Sequence, residues 1–297
     1  MSRVALIGDV VLDVAVVALG PVAPTSDTPA DIRLGRGGSS ANIATHLAAR
    51  GHEVTFIGAI GDDAAGHLVR DELAAAGVRA RLAEVAAPTG VVVALVDADG
   101  QRAMRTRRGA ASGLLAEHVA AVLGEEVDHL HVSGYTLVDP ATRAVGAAAL
   151  RAQAAVGVST SVDVCTLAPW RAAGADAFLA ASAGAGLLFA NEEEAELIGD
   201  GPLEAALAAL AALAARYPEV VVTRGAQGVV ARRGAEEARA AARATRVVDT
   251  TGAGDAATAG YLDARLRGQS LVACLEAAAE EAARVVAVVG PGTQSRR

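Results

Sequence analysis

The stretch Asp249-Thr250-Thr251-Gly252-Ala253-Gly254-Asp255 decides the reading of this chain. It follows a β-type run, Ala244–Val248, and opens an alanine-rich segment from Ala256 that reads as helix. A glycine-rich turn at a helix start aims several free backbone N–H groups at one spot, on the positive end of the helix dipole. Phosphate is the usual guest of such a spot. Asp255 stands at its mouth. A carboxylate beside a bound phosphate is electrostatically unwelcome unless it has work there, and taking a proton from an attacking hydroxyl is such work. The plainer alternative is a tight turn at Gly252 and Gly254, with Asp255 only capping the helix.

Composition narrows the chemistry. The 297 residues are 53% hydrophobic and 20% charged, as in ordinary globular proteins. A net charge of −8 and scattered arginines argue against nucleic acid as a partner. No apolar run reaches membrane length without a charge, Gly or Pro. Cys165 and Cys274 match no metal or redox spacing, so a reducing cytoplasm is expected. The chain has no lysine. That excludes Walker-type phosphate loops, kinase chemistry built on a strand lysine, and Schiff-base or pyridoxal enzymes. Phosphate must be held here by backbone amides, Arg or a metal.

Short Val/Ile/Leu runs alternate with alanine-rich amphipathic segments. Strands are expected at 4–8, 54–60, 91–96, 129–133, 158–162, 187–190, 220–223 and 229–231. Helices are expected at 40–50, 64–76, 116–123, 142–156, 193–198, 202–216, 256–266 and 271–286. This alternation predicts an α/β fold, doubly wound, with a mostly parallel central sheet and helices on both faces. One domain spans 1–297. Segments at about 14–35 and 89–107 break the alternation, the second around the turn signal Asp97-Ala-Asp-Gly100, and predict a small β-sheet lid.

Further motifs fall at strand ends, where such folds bind ligands. Gly8-Asp-Val-Val-Leu-Asp13 ends the first strand; Asp13 suits two sugar hydroxyls, and Asp9 reads as turn chemistry. Gly37-Gly38-Ser-Ser-Ala-Asn42 opens a helix, either as a ligand contact or as a plain cap. Asn191-Glu-Glu-Glu194 and Thr223-Arg-Gly225-Ala-Gln-Gly228 follow later strands; the second is either a nucleotide-cradling or a hairpin turn. His129 and His131 read as satisfied core or strand surface. Arg102, Arg105, Arg107 and Arg108 read as solvated lid, with Arg105 or Arg107 as the alternative clamp for an anionic substrate.

Taken in order, these motifs resemble the ribokinase-like, or phosphofructokinase-B, carbohydrate kinases over nearly the whole chain. Gly37-Gly38…Asn42 and Asp249…Asp255 are similar to the family's two signatures, Gly58…Gly66 to the stretch before its second large helix, and Asn191…Glu194 to its N-x-x-E element. The resemblance implies ATP as donor, Mg²⁺, and Asp255 as general base on a sugar hydroxyl. It implies the amides of Gly252, Ala253, Gly254 and Asp255 as anion hole, and Asp13, Gly37, Gly38 and Asn42 as sugar contacts. It gives Asn191 and Glu194 to Mg²⁺ through water, Thr223, Gly225 and Gly228 to ATP, and Asp249 and Thr251 to a monovalent cation such as K⁺. It agrees with a homodimer built through the lid. Ser39 and Val11 stand where ribokinase itself has Lys and Asn, which speaks against ribose. Ala257 replaces a common Phe, and Asp163-Val-Cys-Thr-Leu167 lacks the later residues of the sugar-acid kinases' Asp-x-Asn-x-Arg run. A nucleoside acceptor, or a sensor of the same fold, is the alternative.

Overall fold

The computed structural model describes residues 1–20, 25–96, 102–199 and 212–287. The turn at Asp97–Gly100 and most of the helix expected over 202–216 lie outside the described residues.

The central sheet has nine strands. In chain order they are β1 (Arg3–Ile7), β4 (Glu53–Gly61), β5 (Arg79–Val85), β8 (His129–Ser133), β9 (Ser159–Asp163), β10 (Leu187–Asn191), β11 (Glu219–Thr223), β12 (Val229–Arg233) and β13 (Glu236–Ala240). Their order across the sheet is β13-β12-β11-β10-β9-β8-β1-β4-β5, with parallel pairing throughout except at β11–β12 and β12–β13. Four further strands make the lid: β2 (Val11–Ala18), β3 (Ala30–Gly37), β6 (Gly90–Val96) and β7 (Arg102–Arg107), in the order β3-β2-β6-β7.

Burial follows strand alternation. Val4 and Leu6 of β1 point into one apolar layer with Phe56, Ile43, Leu47, Tyr261 and Leu275. Ala5 and Ile7 point into the other with Leu130, Val132, Trp170 and Phe178. Both faces of the sheet are therefore sealed by helices, as continuous apolar strands require. With so few aromatic residues, edge-on pairs at Trp170–Phe178 and Phe189–Tyr261 anchor the two layers.

Most buried polar groups on the sheet are paired, His131 Nε2 being an exception among the described residues. His129 meets Ser159 at 3.0 Å and Ser161 at 2.8 Å, and His131 meets Ser161 at 2.9 Å, so both histidines are core residues. Glu219 accepts from Arg233, Arg265 and Tyr261 at the far end of the sheet from the cleft described below. Asp63 accepts from Gly66 N (2.8 Å), which caps the helix Ala64–Ala75, and from Thr89 N and Oγ1 (2.9 and 2.6 Å). That one carboxylate thus ties a core helix to the root of β6.

Two departures from the sequence expectation concern edges. β5 and β13 were not anticipated, because Arg79–Val85 and Glu236–Ala240 mix charges with small apolar residues. Both are outermost strands, where charge blunts an open edge. Conversely, Ala244–Val248 is not a strand. Val247 and Val248 are 63% and 48% exposed, and Val248 N donates to Val286 O at 2.7 Å. Among the described residues no helix is long and apolar enough to cross a membrane.

Candidate active site

The carboxyl ends of β1, β9, β10 and β11 converge under the lid on a cleft of about 660 Å³, where open α/β sheets bind ligands. Asp9, Asp13, Asp163, Glu194 and Asp255 line it, with Thr223 at one end and Val92, Met104 and Thr106 from the lid.

The two glycines before the helix Ser39–Ala48 are sterically required. A Cβ on Gly37 would fall 2.2 Å from the Asp13 carboxyl carbon, and one on Gly38 would fall 2.2 Å from the Asp9 carbonyl oxygen. Gly38 also holds φ at 103°, which L side chains rarely adopt. This close approach delivers the helix to Asp255. Ser39 Oγ donates to Asp255 Oδ1 at 2.7 Å, and Asn42 Nδ2 donates to Oδ2 at 2.8 Å. Arg36, only 4% exposed, donates from Nη1 to Asn42 Oδ1 at 2.8 Å and from Nη2 to Thr45 Oγ1 at 3.1 Å. That contact fixes which end of the Asn42 amide faces the carboxylate.

On the other side of Asp255 lies the turn Asp249–Gly252. Asp249 Oδ1 accepts from Thr251 N (2.9 Å) and Oγ1 (2.7 Å). Gly252 is left-handed (φ 75°, ψ 4°) and caps the helix Ala253–Leu266. Its conformation leaves the first-turn amides of Gly254 and Asp255 with no backbone acceptor among the described residues. The Ala253 amide instead donates back to Thr250 O at 3.3 Å, and Ala253 does not line the cleft.

The cleft gathers Asp13, Gly38, Asn191, Glu194, Thr223, Thr251, Gly252, Gly254 and Asp255 from the residues expected of a site. Gly37 lies beneath Asp13, and Asn42 lies behind Asp255 instead of lining the wall. Asp249 supports the turn. Gly225 is exposed, and Gly228 (φ 90°) packs on the Ala240 carbonyl, so neither lines the cleft. Arg105 and Arg107 are exposed and do not reach it. Strand alternation turns Met104 and Thr106 inward, and the arginine that lines the cleft is the next in phase, Arg108. Asp9 is not a turn residue but part of the buried wall. Arg36 and Cys165 carry no site role in the sequence reading, and Arg108, read there as solvated lid, lines the cleft. Arg36 carried no local signal: its phase-mates on β3, Ile32 and Leu34, are exposed, and only the last three residues of the strand are buried.

A family model for pfkB family carbohydrate kinases matches residues 1–296. The chain belongs to this family. It is 31% identical to the ATP-dependent ribose-1-phosphate kinase of Halopiger xanaduensis, over 80% of this chain and 77% of that one. It is 26% identical to the guanosine-inosine kinase of Exiguobacterium acetylicum, over 97% and 95%. The crystal structure of adenosine kinase from Sinorhizobium meliloti superposes with a TM-score of 0.86 at 27% identity, covering 98% of this chain and 95% of that one. The fold is therefore ribokinase-like, and the chain is a sugar or nucleoside kinase by family.

Crowded carboxylates give this pfkB site its electrostatic character. Burial pushes Asp255 above the usual carboxylate range; its bonds from Asn42 and Ser39 pull it partway back, and Asp9 raises it further. Burial likewise lifts Asp13 to about 6, against the pull of Arg36 and with help from Asp9 and Asp255. Asp163 rises through burial, then Glu194 and Asp255. Burial holds Arg36 down at about 10.

A raised carboxylate subtracts stability as pH climbs, because the unfolded chain ionises first, near 3.9, and the folded one later. For Asp13 that loss falls between about pH 4 and about 6. Asp13→Asn removes it. The ligand-free variant should melt roughly 2–5 °C above the parent near pH 8 and equally near pH 3.5. Thermal scans at the two pH values check this; a variant less stable at pH 8 contradicts it.

Proposed function

We propose that this kinase transfers the γ-phosphoryl group of ATP to a hydroxyl of a sugar or sugar derivative, with Asp255 as general base. One observation carries the reading. The Asp255 carboxylate is held by Ser39 and Asn42 at the point where free helix amides face the same cleft. The acceptor hydroxyl gives its proton to Asp255 as its oxygen forms the new P–O bond; the bond to the β-phosphate oxygen breaks and ADP leaves. The amides of Gly252, Gly254 and Asp255, with the dipole of the Ala253–Leu266 helix behind them, hold the charge on the transferring group.

Asn191 and Glu194 fit Mg²⁺ through water. Asn191 Oδ1 accepts from Glu194 N and Asn191 N donates to Glu194 Oε2, both at 2.9 Å, which orients the carboxylate. Burial lifts that carboxylate to about 7, and a divalent cation is the species that would relieve it. Bound there, Mg²⁺ would neutralise phosphate charge. Thr223 serves the nucleotide end. The oxygen donors Asp249 and Thr251 suit a monovalent cation such as K⁺. A nucleoside is the second acceptor reading, favoured by the Tyr135 ring in the cleft wall.

The lid sets the assembly we propose, a homodimer. Register puts Val14, Val16, Ile32, Leu34, Val93 and Leu95 on the face of the lid turned away from the cleft, and Ile32, Leu34 and Leu95 are exposed. A second copy is the cover such a sheet face calls for. Sedimentation at micromolar protein should show a dimer that Leu95→Asp dissociates; a monomeric parent rejects it.

Asp255→Asn should retain the fold and ATP binding and lower kcat by roughly 10²–10⁴. A coupled assay of ADP release over a panel of sugars and nucleosides makes the comparison, and near-normal turnover removes Asp255 from the mechanism.

A further inference from the structure

The acceptor end of the cleft is crowded with carboxylates. Asp9 and Asp13 stand on its wall, with Asp163 and Asp255 facing the same space. Asp9 is 8% exposed, and its Oδ1 has no hydrogen-bond partner among the described residues. An ionised carboxylate only accepts, and a buried one left unpaired is costly. The group that satisfies it must bring an O–H or N–H.

Carboxylates outnumber the positive charge nearby. Arg108 is the one cation among the described lining residues. Its Nε donates to Asp139 Oδ2 at 3.2 Å, and its guanidinium carbon sits 5.4 Å from the centre of the Tyr135 ring. Asp139 also takes the Ser112 hydroxyl at 2.5 Å, which locks that pair in place. Arg36 lies behind the wall, engaged with Asn42 and Thr45. The remaining anion-binding feature, the Gly252–Asp255 turn, lies at the phosphoryl-transfer end. A phosphate or carboxylate carried by the acceptor would therefore meet Asp9, Asp13 and Asp255 against a single lining cation, Arg108, which is itself paired with Asp139.

We propose that the acceptor is an uncharged polyhydroxylated molecule, a free sugar or a nucleoside, and that Asp9 acts with Asp13 to select it against phosphorylated or carboxylated analogues. This rests on the kinase reading above and narrows it. It departs from the ribose-1-phosphate specificity in the name of one relative, so the two chains should differ at this wall.

The test uses the full-length protein and matched pairs: ribose with ribose 1-phosphate, fructose with fructose 6-phosphate, glucose with gluconate, and adenosine and guanosine with their 5′-monophosphates. Binding is measured by calorimetry without ATP, and turnover by ADP release with MgATP. The uncharged member of the best pair should be favoured by at least about 100-fold, the scale of like charges meeting in a desolvated site. Asp9→Asn should shrink that preference by about tenfold while the thermal midpoint is retained. If Asp9→Asn does not fold, the parent panel decides alone. Preference for a charged member, lost on Arg108→Ala, would overturn the proposal and leave the kinase reading intact. Binding of an uncharged member with no phosphoryl transfer would do the reverse. Failure of every uncharged member to bind would also overturn it.

Discussion

The contact on which the site depends is the clasp of Asp255 by Ser39 and Asn42. It joins residues 216 and 213 positions apart and pins the start of the Ala253–Leu266 helix to the start of the Ser39–Ala48 helix. Neither helix end can reach the other unless the chain before Ser39 passes hard against Asp9 and Asp13, and only glycine permits that passage at 37 and 38. The clasp in turn needs a fixed amide at Asn42, which Arg36 supplies from the core side. Sterics, a buried arginine and two hydrogen bonds therefore converge on one carboxylate. The consequence is a base that is oriented before substrate arrives, which is where much of its catalytic value would lie.

That arrangement has a thermodynamic cost. Asp9, Asp13, Asp163, Glu194 and Asp255 share one desolvated space; burial pushes all of them up, and neighbouring carboxylates add to it at Asp13, Asp163, Glu194 and Asp255. Local rules of good packing are broken here and kept elsewhere, as at Glu219, where Arg233, Arg265 and Tyr261 surround a single acid and hold it below its usual range despite burial. The contrast between the two ends of the sheet separates a supporting ion cluster from a working one.

Much of this was legible in the sequence, for identifiable reasons. The sheet was readable because central strands are buried on both faces and carry unbroken apolar runs, and the lid because its segments interrupt the βα rhythm. The turn at 249–255 was readable because glycine spacing and a following helix are local features. The unread parts are those set by tertiary neighbours. Edge strands β5 and β13 look like loops when only one flank is covered. Asn42 looked like a ligand contact, since nothing local tells that its amide is consumed by Arg36 and Asp255. Arg105 or Arg107 stood as the alternative clamp in place of Arg108 because the phase of β7 relative to the cleft is fixed by its pairing with β6, which sequence spacing does not reveal.

The pH dependence of kcat in Asn42→Leu, set against the parent, tests the clasp most directly. Asn42 donates to the charged form of Asp255 and pulls its pKa down. Losing that donor should move the acid limb of kcat to higher pH while ATP affinity is unchanged. A rate that drops by the same factor at every pH, with the limb unmoved, would contradict the role given to Asp255 and its partners.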